Sequence, residues 1–186
     1  MKTRKVKDLM VPLEEYATVS DDASLHAAVL ALEEAQKKFR QQDRYKHRAI
    51  LVLDKSRRVV GKLSQLDVIK GLEGGYKKMG DFTGISHTGF STEFIKSMVD
   101  KYDLWKKPLE DVCRRAPHIK VKDIMYTPTE GEYVPEEATL DQALHQLVVG
   151  RHQSLLVTKD GKDIVGILRL TDVFQEVCEM IKACQL

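Results

Sequence analysis

The 186-residue chain is 42% hydrophobic and 31% charged, which supplies a core and excludes a disordered polar segment. Thirty basic against 28 acidic side chains leave a formal net charge of +2, so no whole-molecule field commits the chain to nucleic acid or an anionic membrane. Any basic function is local, and the length accommodates one large domain or two small ones.

The start, Met1 to Asp8, is basic, but no apolar run of signal-peptide length follows it, and no later run approaches a membrane span. The first patterned segment is Val6-Lys-Asp-Leu-Met10. Next comes Val19-Ser-Asp-Asp-Ala-Ser-Leu25, a turn with a helix expected from about Leu25. The basic stretch Lys37 to Arg48 holds six Lys or Arg in twelve residues, with Phe39 and Tyr45 interspersed. A solvated helix end is the first reading of it, ahead of contact with nucleic acid or an acidic partner. Ala49-Ile-Leu-Val-Leu53 is too short for an ordinary helix and precedes a turn, so it reads as a buried strand. A second strand, ending near Leu63, turns directly into a helix starting near Ser64.

The pattern then repeats. Val121-Lys-Asp-Ile-Met125 and Val134-Pro-Glu-Glu-Ala-Thr-Leu140 return 115 residues after their counterparts, and Ile164-Val-Gly-Ile-Leu-Arg-Leu-Thr-Asp-Val173 returns 105 after Val59 to Val68. The first copy therefore carries ten extra residues, most of them in the basic stretch. Ser154-Leu-Leu-Val157 is the second copy's buried strand, and each copy reads β-α-β-β-α. Between the copies, Gly74 to Gly89 is glycine-rich without the G-K-[ST] ending of a phosphate loop, and reads as a flexible loop. From Ser91, apolar Phe94, Ile95, Met98, Val99, Tyr102 and Trp105 recur at helical spacing behind a plausible N-cap and the staple residue Phe90. Packing of that helix within the chain is the first expectation, and a dimer contact the second.

The order, with its G-h-h-(S/T)-x-x-D signature (h is apolar), resembles the cystathionine-β-synthase (CBS) domain over about two thirds of the chain. Gly61-Lys-Leu-Ser-Gln-Leu-Asp67 fits except at Lys62, and Gly166-Ile-Leu-Arg-Leu-Thr-Asp172 departs by placing Arg169 at the Ser/Thr position. The resemblance implies a Bateman module of the α/β (α+β) class: two CBS domains packed sheet against sheet about a pseudo-twofold axis, with a helical insertion between them. The expected boundaries are 1–72 for the first domain, 73–117 for the linker and 118–186 for the second.

Clefts in such modules typically receive adenosine-containing ligands. By resemblance, Ser64 and Asp67 form one half-site, with the hydroxyl near phosphate or ribose and the carboxylate on ribose hydroxyls, while Thr171 and Asp172 belong to the other. A strand feeding a helix exposes unpaired N–H groups that favour an anion. The competing reading is local: Ser64-x-x-Asp67 is close to a capping box, and Thr171 is a possible cap in the second copy. Arg169 is expected either to pair with a phosphate through its planar fork or to lie in solvent. Arg48 stands where some relatives place a basic side chain against phosphate, and its counterpart Gln153 is neutral, so the clefts are expected to be unequal.

No nucleophile elbow, H-E-x-x-H pair or cysteine–histidine family signature appears, so no catalytic residue is assigned. Cys113, Cys178 and Cys184 are odd in number and lack a C-x-x-C pair, which argues against a disulfide framework or a structural zinc. His47 and His152 occupy equivalent positions without a second ligand nearby in sequence, so no metal site is assigned. The expectation is a cytoplasmic, energy-sensing regulatory homodimer that requires no cofactor, binds AMP, ADP or ATP, and signals to an effector protein. The alternatives are a dimerising interaction module with empty clefts, or one that binds S-adenosylmethionine or NAD.

Overall fold

The computed structural model describes residues 4–39, 46–78, 90–106 and 111–184. Residues 40–45 of the basic stretch and 79–89 of the glycine-rich loop fall outside the described residues. The elements run β1 (Val11–Pro12), β2 (Thr18–Ser20), α1 (Leu25–Phe39), β3 (Ala49–Leu53), β4 (Val59–Ser64), α2 (Gln65–Leu72), α3 (Thr92–Lys101) and α4 (Val112–Arg115). They continue with β5 (Tyr133–Pro135), α5 (Leu140–Gly150), β6 (Ser154–Lys159), β7 (Asp163–Arg169) and α6 (Leu170–Ala183). Both copies thus fold as β-α-β-β-α, as their sequence repeat implies.

One sheet has the order β2-β3-β4 and the other β1-β7-β6-β5. In each, a short strand lies parallel to the central one, and the next strand returns antiparallel. Even the irregularities repeat, with register shifts at Val52/Leu53 and at the equivalent Val157/Thr158. The β6–β7 turn takes positive φ at Asp160 (50°) and Gly161 (69°), the Asp-Gly chemistry that matches a tight turn to strand twist.

Side chains alternate across a strand, and here both faces are covered. Ile50 and Val52 enter the first core beneath α1, while Leu51 between them meets the other sheet. Leu155 and Val157 enter the second core, and Leu156, equivalent to Leu51, meets the same central layer with Val11, Tyr16 and Ile167. The apolar runs are continuous because the central residues on both faces, Ile50 to Val52 and Leu155 to Val157, are buried. The two sheets pack face to face about the pseudo-twofold axis that relates the copies.

The leading V-K-D-h-M elements cross over. Val6 is fully buried in the second core, and Val121 is fully buried in the first. Backbone bonds hold them there, from Val6 N–H to the Ala138 carbonyl (2.9 Å) and from Val121 N–H to the Ala23 carbonyl (2.9 Å). Beyond them β1 pairs with β7, and its equivalent Tyr126 bridges to Lys62. Each copy therefore completes the other's fold.

The insertion departs from its expected course. Ser91 caps α3 by accepting from Phe94 N–H (3.1 Å), and the Phe90 ring stacks on Phe94 at 5.0 Å. The helix ends at Lys101, however, and Asp103 and Trp105 take positive φ, so Tyr102 and Trp105 are not on its face. Left-handed Asp103 and the bond from Leu104 N–H to the Val99 carbonyl (3.0 Å) close the helix. Beyond it Glu73 accepts from Trp105 N–H (3.1 Å), while the Trp105 indole donates to the Tyr76 hydroxyl (2.9 Å). Leu104 is buried by this docking, while Phe94, Ile95 and Val99 stay more than a third exposed. Packing within the chain anchors the insertion beyond the helix and leaves the helix's apolar face open.

Candidate functional site

Pseudo-symmetry brings equivalent segments of both copies to one cleft of about 490 Å³. Its walls are the chain entering β3 (Lys46, Arg48, Ala49), the β4–α2 junction (Ser64 to Asp67), the chain entering β6 (Arg151 to Ser154) and the β7–α6 junction (Arg169, Thr171). A volume of this size is typical of small-molecule sites. Lys46, Arg48 and Arg151 are exposed at its rim, so the mouth is basic although the chain is nearly neutral.

Ser64 and Asp67 line the cleft, and they also make a capping box. Asp67 N–H donates to Ser64 Oγ (3.2 Å), while the Ser64 N–H (2.9 Å) and hydroxyl (2.6 Å) both donate to Asp67 Oδ2. Among the described residues, Asp67 Oδ1 makes no hydrogen bond. The cap thus uses one carboxylate oxygen and leaves the other unengaged among the described residues. Asp67 also borders a second pocket of about 210 Å³ lined by Ile124, Met125, Gly71 and Tyr76.

The equivalent pair in the second copy is built differently. Arg169 is the N-cap of α6 but accepts nothing through its side chain, and Thr171 lies inside the helix. The guanidinium instead grips Asp172 in a fork, Nε to Oδ2 and Nη2 to Oδ1, both at 2.5 Å. Each residue is only 4% exposed. Asp172 does not line the cleft, whereas Arg169 does, and it is held in the wall by its partner rather than lying in solvent. Arg169 Nη1 also stands 3.4 Å from the buried His47 Nδ1, and the His47 ring packs edge-on against Tyr16 at 4.3 Å. Burial pushes the Tyr16 phenol up to about 12, so it stays neutral.

The other departure from the signature, Lys62, crosses to the second copy and pairs with Glu132, which is 3% exposed. The Tyr126 hydroxyl (2.5 Å) and Thr129 N–H (3.1 Å) donate to the other Glu132 oxygen. Burial raises the Glu132 pKa, but the bonds from Lys62 and Tyr126 outweigh it and leave the carboxyl below its ordinary value. The hydrogen bond to this carboxylate raises the Tyr126 phenol. The pseudo-equivalents of Lys62, Tyr126 and Glu132 are Ile167, Val11 and Ala17, all buried and apolar. The polar group lines the cleft, and its three apolar equivalents do not. Glu132 and Tyr126 escaped the sequence reading, and the one local clue was a lysine at an apolar position of the signature.

Among the described residues, no group of His, Cys, Asp and Glu is arranged to hold a metal ion, and no helix is long and apolar enough to cross a membrane.

The comparisons with known proteins agree with this architecture. The CBS domain family model matches twice, over residues 6–74 and 121–179. No curated protein matches significantly. Among solved structures, a CBS domain-containing protein of unknown function from Bacillus anthracis str. Ames Ancestor is 19% identical with a TM-score of 0.60, covering 95% of this chain and 94% of that one. CBSX2 in complex with AMP is 18% identical, with a TM-score of 0.57 and coverage of 95% and 98%. The CBS domain of a bacterial CNNM/CorC family Mg2+ transporter in complex with ATP is 16% identical, with a TM-score of 0.56 and coverage of 94% and 87%. At these identities the structural likeness concerns the fold, and the two matched regions, one on each copy of the repeat, make the chain a member of the CBS domain family.

Proposed function

We propose that the chain is a regulatory, non-catalytic module of the cytoplasm that binds an adenine nucleotide of the AMP/ADP/ATP class between its two CBS domains and signals its occupancy to a partner protein. The observation that carries this reading is the position of Asp67. It is the shared wall between a cleft with a basic rim and a smaller pocket lined by Ile124, Met125 and Tyr76. A ribose at Asp67 directs its phosphate toward Lys46, Arg48 and Arg151 and its base toward that smaller pocket. The solved structures of the same fold in complex with AMP and with ATP lend support.

The rim charges give the reading its test. AMP, ADP or ATP is expected to bind at least tenfold more tightly than adenosine, a difference of about 1.4 kcal/mol. Affinity falls as salt rises, because exposed charges are screened over about a Debye length. Calorimetric titration of adenosine, AMP, ATP, NAD and S-adenosylmethionine at two salt concentrations measures both effects. Equal affinity for adenosine and AMP, or a preference for S-adenosylmethionine, overturns the assignment.

The same proposal includes a homodimer. Leu66 and Ile69 on α2 and Phe174 and Ile181 on α6 are each at least half exposed, and a second copy would cover them. Sedimentation is expected to show a dimer at micromolar concentration, and a concentration-independent monomer excludes it.

A further inference from the structure

We propose that each chain binds one nucleotide rather than two, because the Arg169–Asp172 pair seals the second half-site. The inference rests on the nucleotide reading above and narrows it to a stoichiometry and an orientation.

The repeat delivers two candidate half-sites to the cleft, and their exposure differs. In the first, Ser64 is small, Asp67 is half-buried and lines the cleft, and its Oδ1 makes no hydrogen bond among the described residues. In the second, the serine position holds Arg169, whose side chain lies along the wall, and both oxygens of Asp172 are engaged at 2.5 Å. Asp172 is 4% exposed and lies behind the lining residues. His47, 1% exposed, backs the guanidinium and is itself held edge-on by Tyr16. A ribose therefore meets a buried ion pair where the first copy offers it an open carboxylate.

Energetics favour the seal. Drawing Asp172 toward a ribose separates a buried, bidentate pair and strands a charge out of water, a larger loss than hydroxyl–carboxylate hydrogen bonds return. The charge distribution agrees. Lys46 and Arg48 from one copy and Arg151 from the other edge the same cleft, so one phosphate chain draws on both rims, and a second would enter against its repulsion.

Equilibrium dialysis with radiolabelled AMP and ATP, counted per chain, tests the inference. One equivalent is expected at saturation in the wild type. Asp67→Asn is expected to weaken all binding at least tenfold, with folding verified by circular dichroism. Arg169→Thr restores the signature residue and releases Asp172, so a second equivalent is expected. Because that variant strands a buried carboxylate and risks unfolding, the wild-type count and Asp67→Asn decide the matter without it. Two equivalents in the wild type, or one retained at wild-type affinity in Asp67→Asn, overturns the seal while leaving nucleotide binding intact. No binding by the folded wild-type chain overturns both.

Discussion

Arg169→Met is expected to destabilise the folded chain by about 3–5 kcal/mol, the loss typical when one member of a buried ion pair is removed. The cause is the carboxylate left behind. Asp172 is 4% exposed, and both of its oxygens are satisfied by the guanidinium, so removing Arg169 leaves a buried charge whose pairing is lost. Its place in the first turn of α6 offsets part of this through the helix dipole, typically under about 1 kcal/mol. At about 2–4 °C per kcal/mol for a chain of this size, the melting point falls on the order of 10 °C. The double change Arg169→Met with Asp172→Leu removes both charges and recovers most of the loss, because a buried pair replaced by apolar groups is often neutral. Urea denaturation of the three proteins measures this. A single-variant loss below about 1 kcal/mol would mean that the pair behaves like a surface salt bridge.

The second large effect belongs to the bond between the copies. Glu132→Gln removes the charge that Lys62, with a side chain only 12% exposed, depends on. A loss of about 3–5 kcal/mol at neutral pH is expected for the same reason. The wild type also carries a pH signature. The Glu132 carboxyl titrates below its ordinary 4.5 in the folded chain, so the unfolded state takes up the proton first. The resulting stability is present above about pH 4.5 and is lost as pH falls through the lowered folded value. In Glu132→Gln this component is absent, so the difference in unfolding free energy between the two proteins should shrink on acidification. A difference that stays constant from pH 7 to pH 3 contradicts the assignment.

Much of the fold was legible because the two copies kept their motifs in order on either side of a ten-residue insertion. Equal shifts at Val6/Val121 and Leu25/Leu140 defined two copies, and the continuous apolar runs at Ile50 and Leu155 marked strands covered on both faces. The crossing of Val6 and Val121 into each other's cores was not legible, since near-identical motifs cannot tell which core receives them. The α3 periodicity continued past Lys101, but a left-handed turn at Asp103 ended the helix, and Glu73, 32 residues before Trp105, holds the chain beyond it. In the site, Ser64-x-x-Asp67 was read both as a cap and as a wall of the cleft, and the geometry accommodates both because one oxygen serves each role. Arg169 was read as facing a phosphate or solvent and Asp172 as a separate ligand, although an i, i+3 pair at a helix start reaches itself with either polarity. Serine accepts from the backbone there, while arginine donates to the carboxylate. Lys62 with Glu132 spans 70 residues, so only the anomalous lysine hinted at it.

A crystal structure of the chain with AMP bound tests the central claim most directly. The expected result is one AMP per chain, with ribose hydroxyls on Asp67 Oδ1, phosphate within hydrogen-bond reach of Lys46, Arg48 or Arg151, and the Arg169–Asp172 fork unbroken. A cleft left empty at saturating AMP, or a ribose seated on Asp172 with the fork opened, would contradict the account.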